Sequence, residues 1–361
     1  MNSINNQKRI IFFLFQILAF STQAQIRKYS NEFLNIGVGA RGLAMSRACI
    51  SSVNDVTAGY WNPAGILGIE GDLQVSAMHA EYFAGIAKYD YAGIGKALDS
   101  SNAIAFSFLR FGVDNIPNTT QLIDAQGNVN YDRITTFSAA DYAFLFTYAR
   151  RLKIPELQIG GNFKVIYRGV GDFATAWGFG LDAGVKYQLK KLNIAATARD
   201  ITTTVTAWNY TIDDATKEVF RQTQNEIPVN GLEIAAPSLT IGGSRLFQYK
   251  RLTILPEINI DFTFDGKRNV LFSGKPISGN PAVGCEFGFM NIVFLRGGIG
   301  NFQRVINYRN TQDFTSQPNI GVGLKIKRVS IDYALTDIGD QSVALYSNIF
   351  SLKFDIVKKT L

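Results

Sequence analysis

Residues 157–168 read Leu-Gln-Ile-Gly-Gly-Asn-Phe-Lys-Val-Ile-Tyr-Arg, and this stretch decides the fold class. Successive side chains of an extended strand point to opposite faces. Leu157, Ile159, Gly161, Phe163, Val165 and Tyr167 therefore share an apolar face with an aromatic end. Gln158, Gly160, Asn162, Lys164, Ile166 and Arg168 share a mostly polar one. Residues 177–190 repeat the pattern, with Trp177, Phe179, Leu181, Ala183, Val185, Tyr187 and Leu189 alternating against Gly178, Gly180, Asp182, Gly184, Lys186, Gln188 and Lys190. Trp177 and Tyr187 stand near opposite ends of that apolar face, as aromatic girdles do on strands that cross an outer membrane. The same period of two runs through Tyr142, Phe144, Phe146 and Tyr148, and through Ile258, Ile260, Phe262 and Phe264.

Extending this reading along the chain gives fourteen strands, near 71–83, 86–97, 102–112, 138–151, 157–168, 173–190, 192–200, 236–246, 251–265, 281–290, 292–301, 317–327, 329–338 and 342–356. The connections alternate in length. Short ones fall at 98–101, 152–156, 190–191, 248–250, 290–291 and 327–328, and every long segment (113–137, 201–235, 266–280, 302–316) falls on the other parity. That is the arrangement of a bacterial barrel with short periplasmic turns and longer outside loops, and an even strand number places both termini in the periplasm. The expected fold is all-β, a fourteen-stranded antiparallel transmembrane β-barrel.

The first residues carry a different signal. Lys8 and Arg9 precede an apolar run from Ile10 to Phe20, and Thr22-Gln23-Ala24 supplies small residues around a cleavage point, so 1–24 is expected to be a secretory signal peptide. Gln25 follows rather than Cys, which argues against a lipid-modified N-terminus. Past Gln25 no run of eighteen apolar residues occurs, so a spanning helix is excluded and a membrane location requires a barrel. The 361 residues are 47% hydrophobic and 12% aromatic with 33 Gly, which is the composition of neither a helical membrane protein nor a disordered chain. Without Lys8 and Arg9 there are 34 basic against 29 acidic residues, a net charge of +5. The cations gather at short turns (Arg150, Arg151, Lys153, Lys190, Lys191, Lys250, Arg251, Lys327, Arg328), where solvent or lipid headgroups explain them better than nucleic acid does. Cys49 and Cys285 are read as two unpaired thiols.

Residues 25–70 do not alternate. They hold Gly37, Gly39, Gly42, Gly59 and Gly65, a short helical stretch near 40–53 and a turn at Trp61-Asn62-Pro63-Ala64-Gly65, and they are expected to fold into the lumen as a plug ahead of the barrel at 71–361. The run Phe33-Leu34-Asn35-Ile36-Gly37-Val38-Gly39-Ala40-Arg41-Gly42-Leu43-Ala44-Met45, with Asn54-Asp55-Val56-Thr57-Ala58-Gly59-Tyr60-Trp61-Asn62-Pro63-Ala64-Gly65, resembles the opening of the PorV/PorQ family. That family belongs to the wider FadL-like group of outer-membrane barrels. Gly178-Phe179-Gly180-Leu181-Asp182-Ala183-Gly184, Glu286 and Leu295-Arg296-Gly297-Gly298 extend the resemblance over the mature chain, while Ser46 and Arg47 depart from it, since small residues or Gly are commoner there. The resemblance implies an outer-membrane component of the type IX secretion system of Bacteroidota. Such a protein binds the translocon barrel, the C-terminal sorting domains of secreted proteins, or both. It also makes Arg41, Trp61, Asn62 and Pro63 the plug motif. The alternative is a FadL-like channel that takes up hydrophobic small molecules.

Little here suggests catalysis. One histidine, His79, and two distant cysteines offer neither a zinc site nor a Cys/His dyad, so no enzyme, metal or cofactor is expected, and His79 is read as a lumen or interface residue. Asp182, Lys186, Glu257, Asp261, Glu286 and Arg296 would be costly against lipid and are expected to line the lumen, some of them holding Arg41. Segment 201–235, with Trp208, Tyr210 and Phe220, is expected to be an outside loop that docks a partner.

Overall fold

The computed structural model describes residues 25–26, 30–123, 127–154, 156–306, 309–338 and 346–357. The expected signal peptide, 1–24, lies outside the described residues. Fourteen strands form the wall: β1 Leu73–Tyr82, β2 Ala87–Ala97, β3 Asn102–Asn118, β4 Thr135–Arg151, β5 Leu157–Val170, β6 Ala174–Leu189, β7 Leu192–Arg199, β8 Ser238–Arg245, β9 Leu252–Thr263, β10 Ser278–Phe289, β11 Val293–Ile306, β12 Gln312–Ile326, β13 Val329–Thr336 and β14 Ser347–Ile356. Each pairs antiparallel with the next, and β14 returns to pair with β1 from Asn348↔Glu81 to Ile356↔Leu73, which closes the barrel. Closure gives every strand two neighbours, which a sheet in hydrocarbon requires.

All fourteen expected strands are present, but several are longer than alternation showed. β3 and β4 run on as a hairpin past a register shift between Val113 and Ile116, and β11 and β12 do the same past Gly300 and Gln303. These extensions stand beyond the apolar band, where water wets both faces. The hydropathy period therefore fades while the backbone ladder persists. Segment 201–235 is not an open loop either. Thr204–Tyr210 pairs with the far part of β6 and with Gly231–Ala235, and Asp214–Gln222 is a helix. The Thr216 backbone N–H donates to Asp213 at the helix start, which holds that carboxyl below its usual range.

On the outer face, Phe106, Phe108, Phe144, Phe146, Phe163, Phe179, Tyr142, Tyr167 and Trp177 form a continuous aromatic sheet across β3–β6, with neighbouring ring centroids 4.8–6.5 Å apart. The rest of the circumference shows Ile, Leu, Val and Phe side chains such as Ile258, Leu295, Val322, Ile331 and Phe350. A water-soluble sandwich would hide this belt, whereas a lipid-facing wall requires it. Among the described residues no helix is long and apolar enough to cross a membrane.

Inside, residues 30–70 fill the lumen. They enter at the long-connection end, where Asn31 and Phe33 are buried, cross the barrel through two short helices (Ala40–Ala44 and Ala58–Trp61), and leave beside Gly71 against the end of β14. Both termini are expected on one side, whereas the first and last described strand residues lie at opposite ends of the barrel. Gln25–Ile26 pairs in parallel with Glu233–Ile234 at the long-connection end, while Ile356 pairs with Leu73 at the short-turn end. The plug threads the lumen once, and a single passage exchanges ends.

Leu181 lies midway along the outer face of β6. Replacing it by Arg is expected to destabilise the barrel by about 2–4 kcal/mol, as a charge at the bilayer midplane does, measured by reversible urea unfolding in lipid vesicles. An unchanged midpoint would mean this face is not in hydrocarbon.

Candidate functional site: a plugged lumen with an amphipathic mouth

The plug is seated by close backbone approach, and wall glycines allow it. Gly160 on β5 faces its register partner Gly184 on β6. A Cβ on Gly160 would sit 2.5 Å from the backbone of Pro63 and Ala64, and one on Gly184 would overlap Asn62 Oδ1. On the far wall the partners Gly284 and Gly298 leave the same kind of room for Met45. The turn Trp61-Asn62-Pro63 thus rests on bare strand, with Asn62 fully buried: its Nδ2 donates to Ile50 O and Val185 O, and its Oδ1 accepts from Ala64 N–H. Trp61 Nε1 donates to Val38 O at 2.9 Å, which ties the two helical segments together, and its ring packs edge-on against Tyr60.

Charge fixes the plug from the other side. Arg41 Nε donates to Glu286 at 2.9 Å, Glu286 also accepts from Arg296 at 2.6 Å, and Arg296 reaches Asp332 at 2.6 Å. Plug, β10, β11 and β13 are thereby joined in one network. Glu257 accepts from both Ser51 N–H and Ser51 Oγ, Lys186 Nζ donates to Val53 O, and Asp261 pairs with Arg47 at 3.4 Å. Asp182 pairs with Lys164 at 2.8 Å inside the wall. All six of the expected lumen charges thus point inward. Sequence reading missed Lys353–Asp55, Lys164–Asp200 and Arg199, whose guanidinium lies 4.6 Å over the Tyr60 ring and donates to Leu34 O and Tyr60 O. Lys164 was already on the polar face, but its partners come from other strands.

Two expectations change here. Of the lumen and interface placements expected for His79, the lumen one is excluded: its side chain points outward and bonds Asp90 at 2.7 Å. The rings assigned to a partner-docking loop are not displayed. Trp208 is half-buried, stacks on Tyr210, lies under the Arg168 guanidinium at 5.0 Å and donates to Glu233, and Phe220 is half-buried on its helix. The ribbon's period of two turns Trp208 inward, which a loop reading could not anticipate. Finally, Ser46 and Arg47 adopt φ of 52° and 70°, a left-handed turn that explains why Gly suits this place. Here the cost comes with contacts, since Ser46 accepts from Asn319 and Arg47 reaches Asp261.

Above the plug two cavities of about 480 Å³ each meet at the long-connection end and share Glu32, Asn35, Arg47, Asp261, Asn280 and Asn301. One has an apolar wall of Phe33, Ile36, Leu43, Tyr82, Phe83 and Phe111 opposite polar side chains. The other is polar and lies where the wall is interrupted: β8 and β9 pair only as far as Ser238↔Thr263, and beyond this Gly231–Ala235 pairs with Gln25–Ile26 instead of with β9. Buried polar atoms of Ser30, Arg47 (Nε), Thr263 and Asn280 around it have no hydrogen-bond partner among the described residues, so they can serve an incoming group. Among the described residues no His, Cys, Asp and Glu cluster could hold a metal, and Cys49 and Cys285 are free thiols.

No protein-family model matches the chain, and no curated protein does. Solved structures match over nearly its whole length. The monoaromatic hydrocarbon channel CymD superposes with a TM-score of 0.56 at 11% identity, covering 90% of this chain and 98% of its own. The Ralstonia pickettii toluene transporter TbuX gives 0.53 at 14%, covering 89% and 98%. A Pseudomonas aeruginosa FadL homologue gives 0.52 at 10%, covering 88% and 98%. At such identities the likeness concerns the fold alone, a closed fourteen-stranded antiparallel barrel.

Gly160→Val should unseat the plug while leaving the wall intact, because the added side chain meets plug backbone rather than a movable tip. The expected outcome is a barrel with unchanged heat-modifiable migration and raised single-channel conductance in planar bilayers; unaltered conductance would refute the seating. For the ionic side, a double-mutant cycle on Arg41→Ala and Glu286→Gln should give a coupling energy of about 1–3 kcal/mol. Additive effects would show that the pair is not coupled.

Proposed function

We propose that this protein is a plugged outer-membrane channel of the FadL type that takes up a small amphipathic molecule at its long-connection end. The carrying observation is the mouth itself. An apolar wall faces polar side chains across one cavity, and the polar cavity that adjoins it lies at a break in the barrel wall. Pockets of this size, largely apolar with a few placed polar groups, are how proteins hold small ligands. The FadL-like fold agrees with this reading, and the apolar belt suits an outer-membrane location with the short turns in the periplasm. Non-enzymatic transport also suits a lumen whose charges are engaged with plug and wall.

A second reading, a type IX secretion component that binds the translocon barrel or C-terminal sorting domains, draws on one specific observation. The residues that carry the PorV/PorQ resemblance, Arg41, Trp61, Asn62 and Pro63, are the ones that lock the plug. A permanently sealed lumen fits a docking protein.

Titrating the protein in lipid nanodiscs with 1-decanol and with decanoate separates the two. A channel of the proposed kind binds at least one of them saturably at the mouth, and Phe111→Ala weakens it by about tenfold, the loss of roughly 1.4 kcal/mol of apolar contact. Absence of saturable binding, together with co-purification of a large barrel and secreted proteins from outer membranes, would favour the secretion reading.

A further inference from the structure

Three consecutive short turns on one arc of the rim carry an excess of one charge. The β4–β5 turn holds Arg150, Arg151 and Lys153, the β6–β7 turn Lys190 and Lys191, and the β8–β9 turn Arg245, Lys250 and Arg251. Glu156 is the single acid within these turns. All eight cations are exposed, and none has an ion-pair partner among the described residues. The long connections at the other end mix both signs.

Turn chemistry alone does not explain this. Lys190 and Lys250 occupy left-handed backbone at φ of 52° and 51°, where a two-residue hairpin turn is most easily made with Asn or Gly. Lys327, in the turn before β13, does the same at 53°. A basic side chain therefore stands three times where backbone preference favours a smaller residue.

The surroundings identify the partner. Ile154, Leu189, Leu192, Phe247 and Tyr249 are exposed on the same arc, interleaved with the cations. The Lys250 ammonium lies 5.6 Å over the Tyr249 ring and the Arg245 guanidinium 5.1 Å over Phe247. Cation above ring at the end of a membrane-crossing strand is the arrangement of an interface between headgroups and hydrocarbon. Successive turns are two strand widths apart, roughly 10 Å, a spacing on the scale of neighbouring lipid headgroups. A soluble acidic protein would meet these cations but would leave the interleaved apolar side chains without a partner.

We propose that this arc is a selective site for anionic phospholipid, with phosphate oxygens of several headgroups held by the three turns and the acyl chains lying along the exposed apolar side chains below. Clusters of four to eight Lys and Arg at a membrane surface recognise anionic lipid in this way. The site is remote from the mouth and independent of which ligand, if any, enters there. It also ties the short-turn end to a phospholipid leaflet.

The test is native mass spectrometry of the full protein released from micelles containing equal amounts of phosphatidylglycerol and phosphatidylethanolamine with identical acyl chains. The wild type should retain phosphatidylglycerol about fivefold or more over phosphatidylethanolamine in low salt, a preference that shrinks as ionic strength rises. The variant R150Q/R151Q/K190Q/K191Q/K250Q/R251Q should lose the preference while keeping heat-modifiable migration. The charge-conserving K190R/K191R/K250R should keep it, which separates charge from fold. Equal retention of both lipids by the wild type, a salt-insensitive preference, or an undiminished preference in the glutamine variant would each overturn the proposal. So would capture of an acidic soluble protein without any lipid preference.

Discussion

A strand in hydrocarbon cannot leave its backbone N–H and C=O groups unpaired, and the ladder between β14 and β1 is where this chain meets that demand. Without that seam the wall would end in two unsatisfied edges. With it, each strand has a neighbour on both sides, and the apolar belt of Phe, Ile, Leu and Val can face lipid. The alternating sequence therefore follows from closure. Outward positions are apolar because lipid touches them, and inward positions are free to be polar because nothing inside is hydrocarbon.

Closure at fourteen strands creates the next constraint. A ring this wide leaves more space than its own inward side chains fill, and residues 30–70 occupy it. The plug in turn dictates what the wall can carry. Glycine appears at Gly160, Gly284 and Gly298 because plug backbone passes within about a Cβ of the strand there, and at Gly184 because the Asn62 and Pro63 side chains do. Charges appear opposite polar plug groups because an ion enclosed between wall and plug must find a partner. Ion pairs of this kind add little net stability, but each would leave an uncompensated charge in any other seating, so together they select one position of the plug.

The legible part of this architecture was whatever repeats at a fixed period against lipid. Trp177 to Leu189 alternate because one face of β6 is in hydrocarbon, and the parity of the connections follows from the chain turning back at each membrane surface. The upper hairpins of β3–β4 and β11–β12 were not visible, since water on both faces removes the signal. Nor was the inward turn of Trp208, which depends on a ribbon built from residues 204–210 and 231–235 rather than on local sequence. Of the site, Arg41 and Glu286 were each recognisable as charges in need of company. That Asp55 would choose Lys353, or Lys164 the pair Asp182 and Asp200, is set by strands far apart in the chain. Glycine's role in the wall was hidden for the same reason: Gly160 on a polar face looks like any small residue until a plug lies against it.

Mouth and plug form one mechanical unit. Phe33, Ile36 and Leu43, which make the apolar side of the mouth cavity, belong to the same short segment as Arg41, whose guanidinium is held by Glu286. The opposite side of that segment is gripped by Arg199, which reaches Leu34 O and Tyr60 O from β7. A molecule entering the mouth touches side chains one or two residues from both attachments. Any ligand that binds differently to the seated and shifted segment must therefore move that equilibrium by its difference in affinity, and the seating must alter ligand affinity by the same factor. The ionic network is in this sense part of the binding site, and substitutions at Glu286 or Arg296 act on the mouth through Arg41 and the backbone that continues to Leu43.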